Sequence, residues 1–180
     1  MTGRREQILG GAAQLFAKHG YHGVSIADLG AAVGISGPAL YRHFPGKEAL
    51  LEEMLVGISE YLLQGGQALA DTVDDPEERL RALVAFHADF ATREPELIVV
   101  QDRDLANLAA GPRAKVRKLQ RTYVEIWVDA LRSTRPELDD AQRRVVAHGT
   151  FGLLNSTPHA GRGRDAAELL QRMALAALRP

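Results

Sequence analysis

Apolar residues recur at three- and four-residue steps through most of this chain, a period that predicts helices and no strands. Ile8, Ala12, Leu15 and Phe16 make the first stripe, over about residues 4–19, and Gly20 ends it. Ile26, Leu29 and Val33 make the second, over 25–33. Ser25 opens that helix, and Asp28 three residues on completes a capping box. Ser36 caps a third helix over 36–44, with Pro38 in the first turn, where a missing N–H costs nothing. Leu40 and Phe44 share its buried side. Gly34 suits the left-handed turn before it, and Pro45-Gly46 stops it. Three short helices with a glycine turn between the last two form a helix-turn-helix arrangement.

Longer stripes follow. The stretch 47–70 carries Leu50, Leu51, Met54, Leu55, Ile58, Tyr61 and Leu62, with Gly65-Gly66 weakening its end. Asp74-Asp75-Pro76 opens a helix over 76–92 with Leu80, Leu83, Val84, Phe86, His87 and Phe90. A shorter helix starts at Glu94-Pro95 and reaches about Asn107. Gly111-Pro112 punctuates before 113–132, which carries Val116, Leu119, Tyr123, Ile126, Trp127 and Leu131. The stretch 139–155 stops before Thr157-Pro158, Gly161 to Arg164 reads as a flexible basic loop, and Asp165 caps a last helix. The expected fold is all-α: a three-helix helix-turn-helix head over residues 1–46 and a six-helix body over 47–180.

Composition narrows the function. The absence of cysteine excludes disulfides and thiolate metal sites, and no metal ligand set or cofactor motif is found. No apolar run is long enough for a membrane span, and the N-terminus has no signal-peptide core, so a cytoplasmic location is expected. The net charge is −1, but it is unevenly placed. Residues 1–47 carry five basic groups against two acidic ones, and the remainder carries 17 against 21. A basic head on an acidic body suits a local phosphate-binding surface.

The run Gly34-Ile35-Ser36, Leu40-Tyr41-Arg42-His43-Phe44 and Lys47-Glu48, with Ile8, Ala12, Leu15-Phe16, Gly20-Tyr21, Ser25-Ile26, Leu29 and Ala32-Val33 before it, resembles the DNA-binding head of TetR-type transcriptional regulators. The resemblance covers residues 8–51. It implies an all-α homodimer of about nine helices per subunit that binds double-stranded DNA and responds to a small molecule. It also implies that Ser25, Ser36, Gly37, Pro38, Ala39, Tyr41, Arg42, His43 and Lys47 face DNA. Lys47 adds a point charge for a phosphate, or is a solvated surface lysine. Tyr41 bonds a phosphate, presses on a thymine methyl, or packs within the head. Arg42 alone offers a bidentate guanine contact. His43 reaches a phosphate or caps the helix end. Ser36 serves as a cap or as a contact. Gly37-Pro38-Ala39 brings few donors to base edges, so methyl contacts, DNA shape and dimer spacing are expected to carry much of the selectivity.

The body needs a chamber if ligand binding is to shift the heads. Candidate lining residues are Tyr61, Phe86, His87, Phe90, Gln101, Tyr123, Trp127, Phe151 and Asn155, polar or aromatic side chains on apolar faces. Each is otherwise ordinary core, and His87 a satisfied core histidine. Arg103 and the run Arg113, Lys115, Arg117, Lys118, Arg121 form either a solvated helix face or a cradle for an anionic effector such as an acyl-CoA. Stretches around Arg103 and Asn155 resemble members tied to lipid metabolism. Gly149, Gly152, Leu169, Leu170, Met173 and Ala177 are the expected dimer interface, which would place two recognition helices on one palindrome.

A regulator, most simply a repressor released by its ligand, is therefore the leading expectation. The rival is an enzyme built on His87 with Asp89, or on His148 with His159. Against it, residues two apart on a helix diverge, and no nucleophile elbow or phosphate loop is present.

Overall fold

The computed structural model describes residues 3–160 and 164–179. Its elements are α1 (Arg4–His19), α2 (Ile26–Ala32), α3 (Gly37–Leu40), α4 (Lys47–Thr72), α5 (Pro76–Arg93), α6 (Pro95–Asp104), a 3-10 turn (Leu105–Asn107), α7 (Ala110–Thr134), α8 (Asp140–Leu154), α9 (Thr157–Ala160) and α10 (Arg164–Leu178). No strand occurs among the described residues, and none of their helices is long and apolar enough to cross a membrane.

Four boundaries differ from expectation. The third helix is α-helical only through Leu40. Beyond it, the N–H groups of Arg42 and His43 donate three residues back, to Ala39 and Leu40. The Phe44 N–H still donates four residues back, to Leu40 at 3.0 Å, and Pro45, which disfavours helical geometry at Phe44, keeps the stretch from continuing as a helix. Gly111-Pro112 begins α7 instead of separating helices, because a proline in the first turn has no hydrogen bond to lose. Gly65-Gly66 lies inside α4, which runs on to Thr72. Thr157-Pro158 opens the extra one-turn helix α9, tied down by the Thr157 hydroxyl donating to the Ala91 carbonyl at 2.7 Å. Most of the expected basic loop, Gly161 to Gly163, lies outside the described residues.

The chain divides into two compact units, residues 1–58 with 96–116, and 59–95 with 117–180. The core of the first is Ile8, Phe16, Leu29, Leu40, Phe44, Leu50, Leu51, Leu55, Val100 and Val116. Burial of a side chain such as Phe16 or Leu40 stabilises the fold by about 1.5–3 kcal/mol each. The predicted capping box is present: Ser25 Oγ accepts from the Asp28 N–H at 3.2 Å, and the Asp28 carboxylate accepts from the Ser25 N–H at 2.8 Å. Gly34 takes φ +69° in the turn after α2, a conformation a side chain would strain.

Three cations brace this unit. Arg5 forks onto the Glu53 carboxylate, donates to the His43 carbonyl at 2.5 Å, and lies 4.1 Å from the centre of the Phe44 ring. Lys47 donates to the Tyr21 and Val24 carbonyls at 2.9 and 3.1 Å and sits over the Tyr21 ring. Arg103 donates to the Phe16 and Ala17 carbonyls at the end of α1 and pairs with Asp104 at 3.0 Å. Asp104 is buried and also accepts, at 3.4 Å, from the Tyr21 N–H.

In the second unit α5, α8 and α10 pack against one another. Leu80, Leu83, Val84, Ala147, Leu154, Leu170, Ala174 and Leu178 are buried there. Asp139 caps α8, and the buried Arg143 guanidinium bonds the Arg135 and Pro136 carbonyls, closing the α7–α8 corner.

Candidate functional site

The tip of the first unit is built from α2, the turn at Gly34 and α3. Leu40 and Phe44 anchor it from behind, and Ser36 Oγ accepts from the Ala39 N–H at 3.3 Å, so Ser36 does cap. With the apolar side fixed inward, Pro38, Tyr41 and Arg42 stand out into solvent. Tyr41 is 55% exposed, which leaves it free of packing within the head. Ser25 and Ser36 are exposed as well, while Gly37, Ala39, His43 and Lys47 are half-buried. Lys47 is the surprise among them. Its ammonium is committed to two carbonyls of the α1–α2 connector, which leaves one donor for any other partner.

A charged and aromatic tip on a capped helix-turn-helix frame now meets independent comparisons. The sequence profile of "Bacterial regulatory proteins, tetR family" matches residues 8–54, and that of "Tetracyclin repressor-like, C-terminal domain" matches residues 73–178. The HTH-type transcriptional repressor KstR2 of Mycobacterium tuberculosis is 30% identical over 162 residues, 84% of this chain and 80% of KstR2. The chain belongs to the TetR family of bacterial regulatory proteins. Solved TetR-family structures agree. A regulator from Bordetella parapertussis superposes with TM-score 0.90 at 25% identity, covering 99% of this chain and 95% of that one. PfmR from Thermus thermophilus gives TM-score 0.85 at 28% identity, covering 99% and 97%. The structure of the ketosteroid transcriptional regulator KstR2 gives 0.85 at 25%, covering 99% and 94%. As a TetR-family member the chain is a DNA-binding transcriptional regulator.

The second unit of this TetR-family chain holds a buried polar box. His87 is inaccessible, with Asn155 Oδ1 3.0 Å from Nε2 and the Tyr123 hydroxyl 3.2 Å from Nδ1. With Asn155 presenting an oxygen that only accepts, Nε2 carries the proton and Nδ1 accepts from Tyr123. The imidazole is thereby held neutral. Burial lowers its pKa to about 4, against a smaller raising effect of the Asn155 hydrogen bond. Burial likewise pushes the Tyr123 phenol well above its ordinary value. Around them, Phe151 stacks 5.0 Å from the His87 ring, Tyr123 stacks at 5.8 Å, and Trp127 and Phe90 stand edge-on.

Tyr123 and Trp127 each carry a polar handle that seeks a partner when buried, and only that of Tyr123 has one of ordinary geometry, His87 Nδ1. Trp127 Nε1–H is buried without a hydrogen bond of proper geometry. The Tyr123 hydroxyl is close enough to feel it, which offsets part of the phenol's upward shift. Phe86 and Tyr61 pair at 5.4 Å, with Tyr61 largely exposed. Gln101 belongs to the first unit and is half-buried there.

Sequence reasoning missed what seats these rings. A Cβ on Gly65 would lie 2.1 Å from Phe86 Cζ, and one on Gly66 would lie 2.7 Å from Tyr123 Cε2. The paired glycines let α4 receive two aromatic rings against its backbone. A Gly-Gly step inside an apolar stripe was the available signal.

Asp89 is exposed and pairs with Arg93, so His87 has no acid beside it. His148 and His159 are both exposed. Among the described residues no cluster of His, Asp and Glu is arranged to hold a metal ion. Of the expected interface residues, Gly149 and Gly152 on α8 and Leu169, Met173 and Ala177 on α10 are exposed, whereas Leu170 turns into the core. Val145, 71% exposed, extends the same side of α8.

Proposed function

We propose that this chain is a non-enzymatic, cytoplasmic repressor that binds a palindromic operator as a homodimer and releases it when a small molecule enters the body. Residues 1–46 form the DNA-binding domain in this reading, and 47–180 the effector-binding and dimerisation domain. The observation that carries it is the outward stand of Pro38, Tyr41 and Arg42 on a frame braced by Arg5, Lys47 and Arg103. Tyr41 and Arg42 are the base-edge and phosphate contacts, with Ser25, Ser36, Gly37, Ala39 and His43 along the same surface. Lys47 holds the connector and keeps one N–H for a phosphate.

The exposed apolar faces of α8 and α10 pair with those of a second copy. Two heads then meet successive major grooves about 34 Å apart. The effector enters among Tyr61, Phe86, His87, Phe90, Tyr123, Trp127, Phe151 and Asn155. Trp127 Nε1–H, which has only a poorly aligned contact with the Tyr123 hydroxyl, is the donor offered there. KstR2 is described as a ketosteroid regulator, and an aromatic box with few polar groups suits the same class of flat, apolar effector. An acyl-CoA-type effector is the second reading, favoured by the basic run Arg113 to Arg121.

Fluorescence anisotropy with DNA from upstream of the chain's own gene tests this. Tight binding that weakens steeply with salt and is reversed by a steroid or acyl-CoA ligand is expected. Binding that no such ligand reverses would remove the effector half of the reading, and no salt-sensitive binding would remove the operator half.

A further inference from the structure

The second unit has another concave feature that the buried box does not use. Between α7 and α8 lies a groove of about 340 Å³, lined by Arg117, Gln120, Arg121, Val124, Glu125, Arg144 and His148. Its charges do not balance. Glu125 is fully engaged by Arg144, whose Nε and Nη2 donate to its two oxygens at 2.7 and 3.0 Å. That pairing holds the Glu125 carboxyl below its ordinary pKa. Among the described residues, Arg117 and Arg121 have no carboxylate partner. They stand one turn apart on the same helix, an arrangement that is unfavourable for two like charges without a counterion.

We propose that this groove binds a small organic phosphate through Arg117 and Arg121, with the organic part lying on Val124. Two guanidinium forks, the Gln120 amide and the His148 ring offer more donors than the two oxygens of a carboxylate accept, and the terminal oxygens of a phosphate monoester accept more. The dianion also matches the two unpaired positive charges. The floor includes the apolar Val124, which is nearly buried. The groove adjoins the aromatic cluster through one of its lining residues. His148 meets the Phe151 ring edge-on at 6.2 Å, and Phe151 stacks on His87.

The proposal does not rest on operator binding, although Arg117 and Arg121 belong to the basic run that the acyl-CoA reading of the effector uses. It is tested by calorimetric titration of the full chain with 1-naphthyl phosphate, inorganic phosphate and 1-naphthol, with the Val124 methyl signals followed by NMR. 1-Naphthyl phosphate should bind about tenfold or more tighter than inorganic phosphate, because the ring adds apolar burial, and should move the Val124 methyls. 1-Naphthol should bind more weakly than its phosphate.

The double variant R117Q/R121Q should weaken 1-naphthyl phosphate about tenfold or more. K115Q/K118Q removes the same charge from the same helix outside the groove and should change it by less than about twofold. Equal loss in the two doubles would assign the binding to the general field of α7 and overturn the site. So would 1-naphthyl phosphate binding no better than inorganic phosphate, or no better than 1-naphthol. Operator affinity measured on the same samples separates the two readings, since loss of operator binding leaves the groove result standing.

Discussion

In the first unit the cations work from outside an apolar core. Arg5, Lys47 and Arg103 each reach backbone carbonyls that helix ends and connectors leave unsatisfied, and the side chains left over, Tyr41 and Arg42, stand on the tip. In the second unit the polar groups turn inward. His87, Tyr123 and Asn155 satisfy one another in the middle of an aromatic cluster, and the ring nitrogen of Trp127 has only the Tyr123 hydroxyl near it, without proper hydrogen-bond geometry. A surface that must meet a polyanion is built by fixing the frame with most of its charges and exposing the remainder. A chamber for an apolar molecule is built by hiding polar groups where each needs a partner. In the reading proposed above, the exposed tip is the DNA-reading surface of the first unit and the buried polar box the effector site of the second.

The box should break most severely. His87→Ala orphans the Tyr123 hydroxyl and the Asn155 oxygen and opens a void, for an expected loss of about 4 kcal/mol in denaturant unfolding. A loss under about 1 kcal/mol would mean the cluster is not a packed unit. The same residue predicts an acid limb. Its folded pKa of about 4 lies below the ordinary 6.5, so the unfolded chain takes up the proton first as pH falls. The stability that neutral His87 confers is complete above pH 6.5 and is lost between there and about 4, by about 3 kcal/mol. His87→Phe should flatten that limb. An unchanged limb in the variant would assign it to other groups.

Gly65→Ala should cost about 2 kcal/mol, because the Phe86 ring has to move. Gly57→Ala on the same helix meets nothing within 4 Å, and should stabilise by about 0.5–1 kcal/mol. Equal effects at the two positions would mean that helix propensity, not ring seating, explains the pair.

The contrast between units was partly legible in the sequence. Helical periodicity located all nine expected helices, and the Ser25–Asp28 box and the Ser36 cap formed as their spacing required. His87, Tyr123, Trp127 and Asn155 were picked out as polar groups on apolar faces, and three of them do bond one another. The braces were not legible. Arg5 to Glu53 and Arg103 to Phe16 join residues 48 and 87 positions apart, and no local pattern announces them. Nor does spacing show that Lys47, beside the tip in sequence, bends its ammonium back to Tyr21. Lys47→Met keeps the stem and removes both bonds, for about 1 kcal/mol. A lysine that only touched phosphate would leave unfolding unchanged.

The smallest effect on stability belongs to the tip, and it decides the account. Tyr41→Ala should shift unfolding by less than about 0.5 kcal/mol and leave the subunit count unchanged. It should also weaken binding to the operator by about tenfold or more, as expected for loss of a direct contact. Measuring operator affinity and unfolding on the same Tyr41→Ala sample is therefore the direct test. Full operator affinity, or affinity lost only along with folding or dimerisation, would contradict the assignment of the exposed tip as the DNA-reading surface.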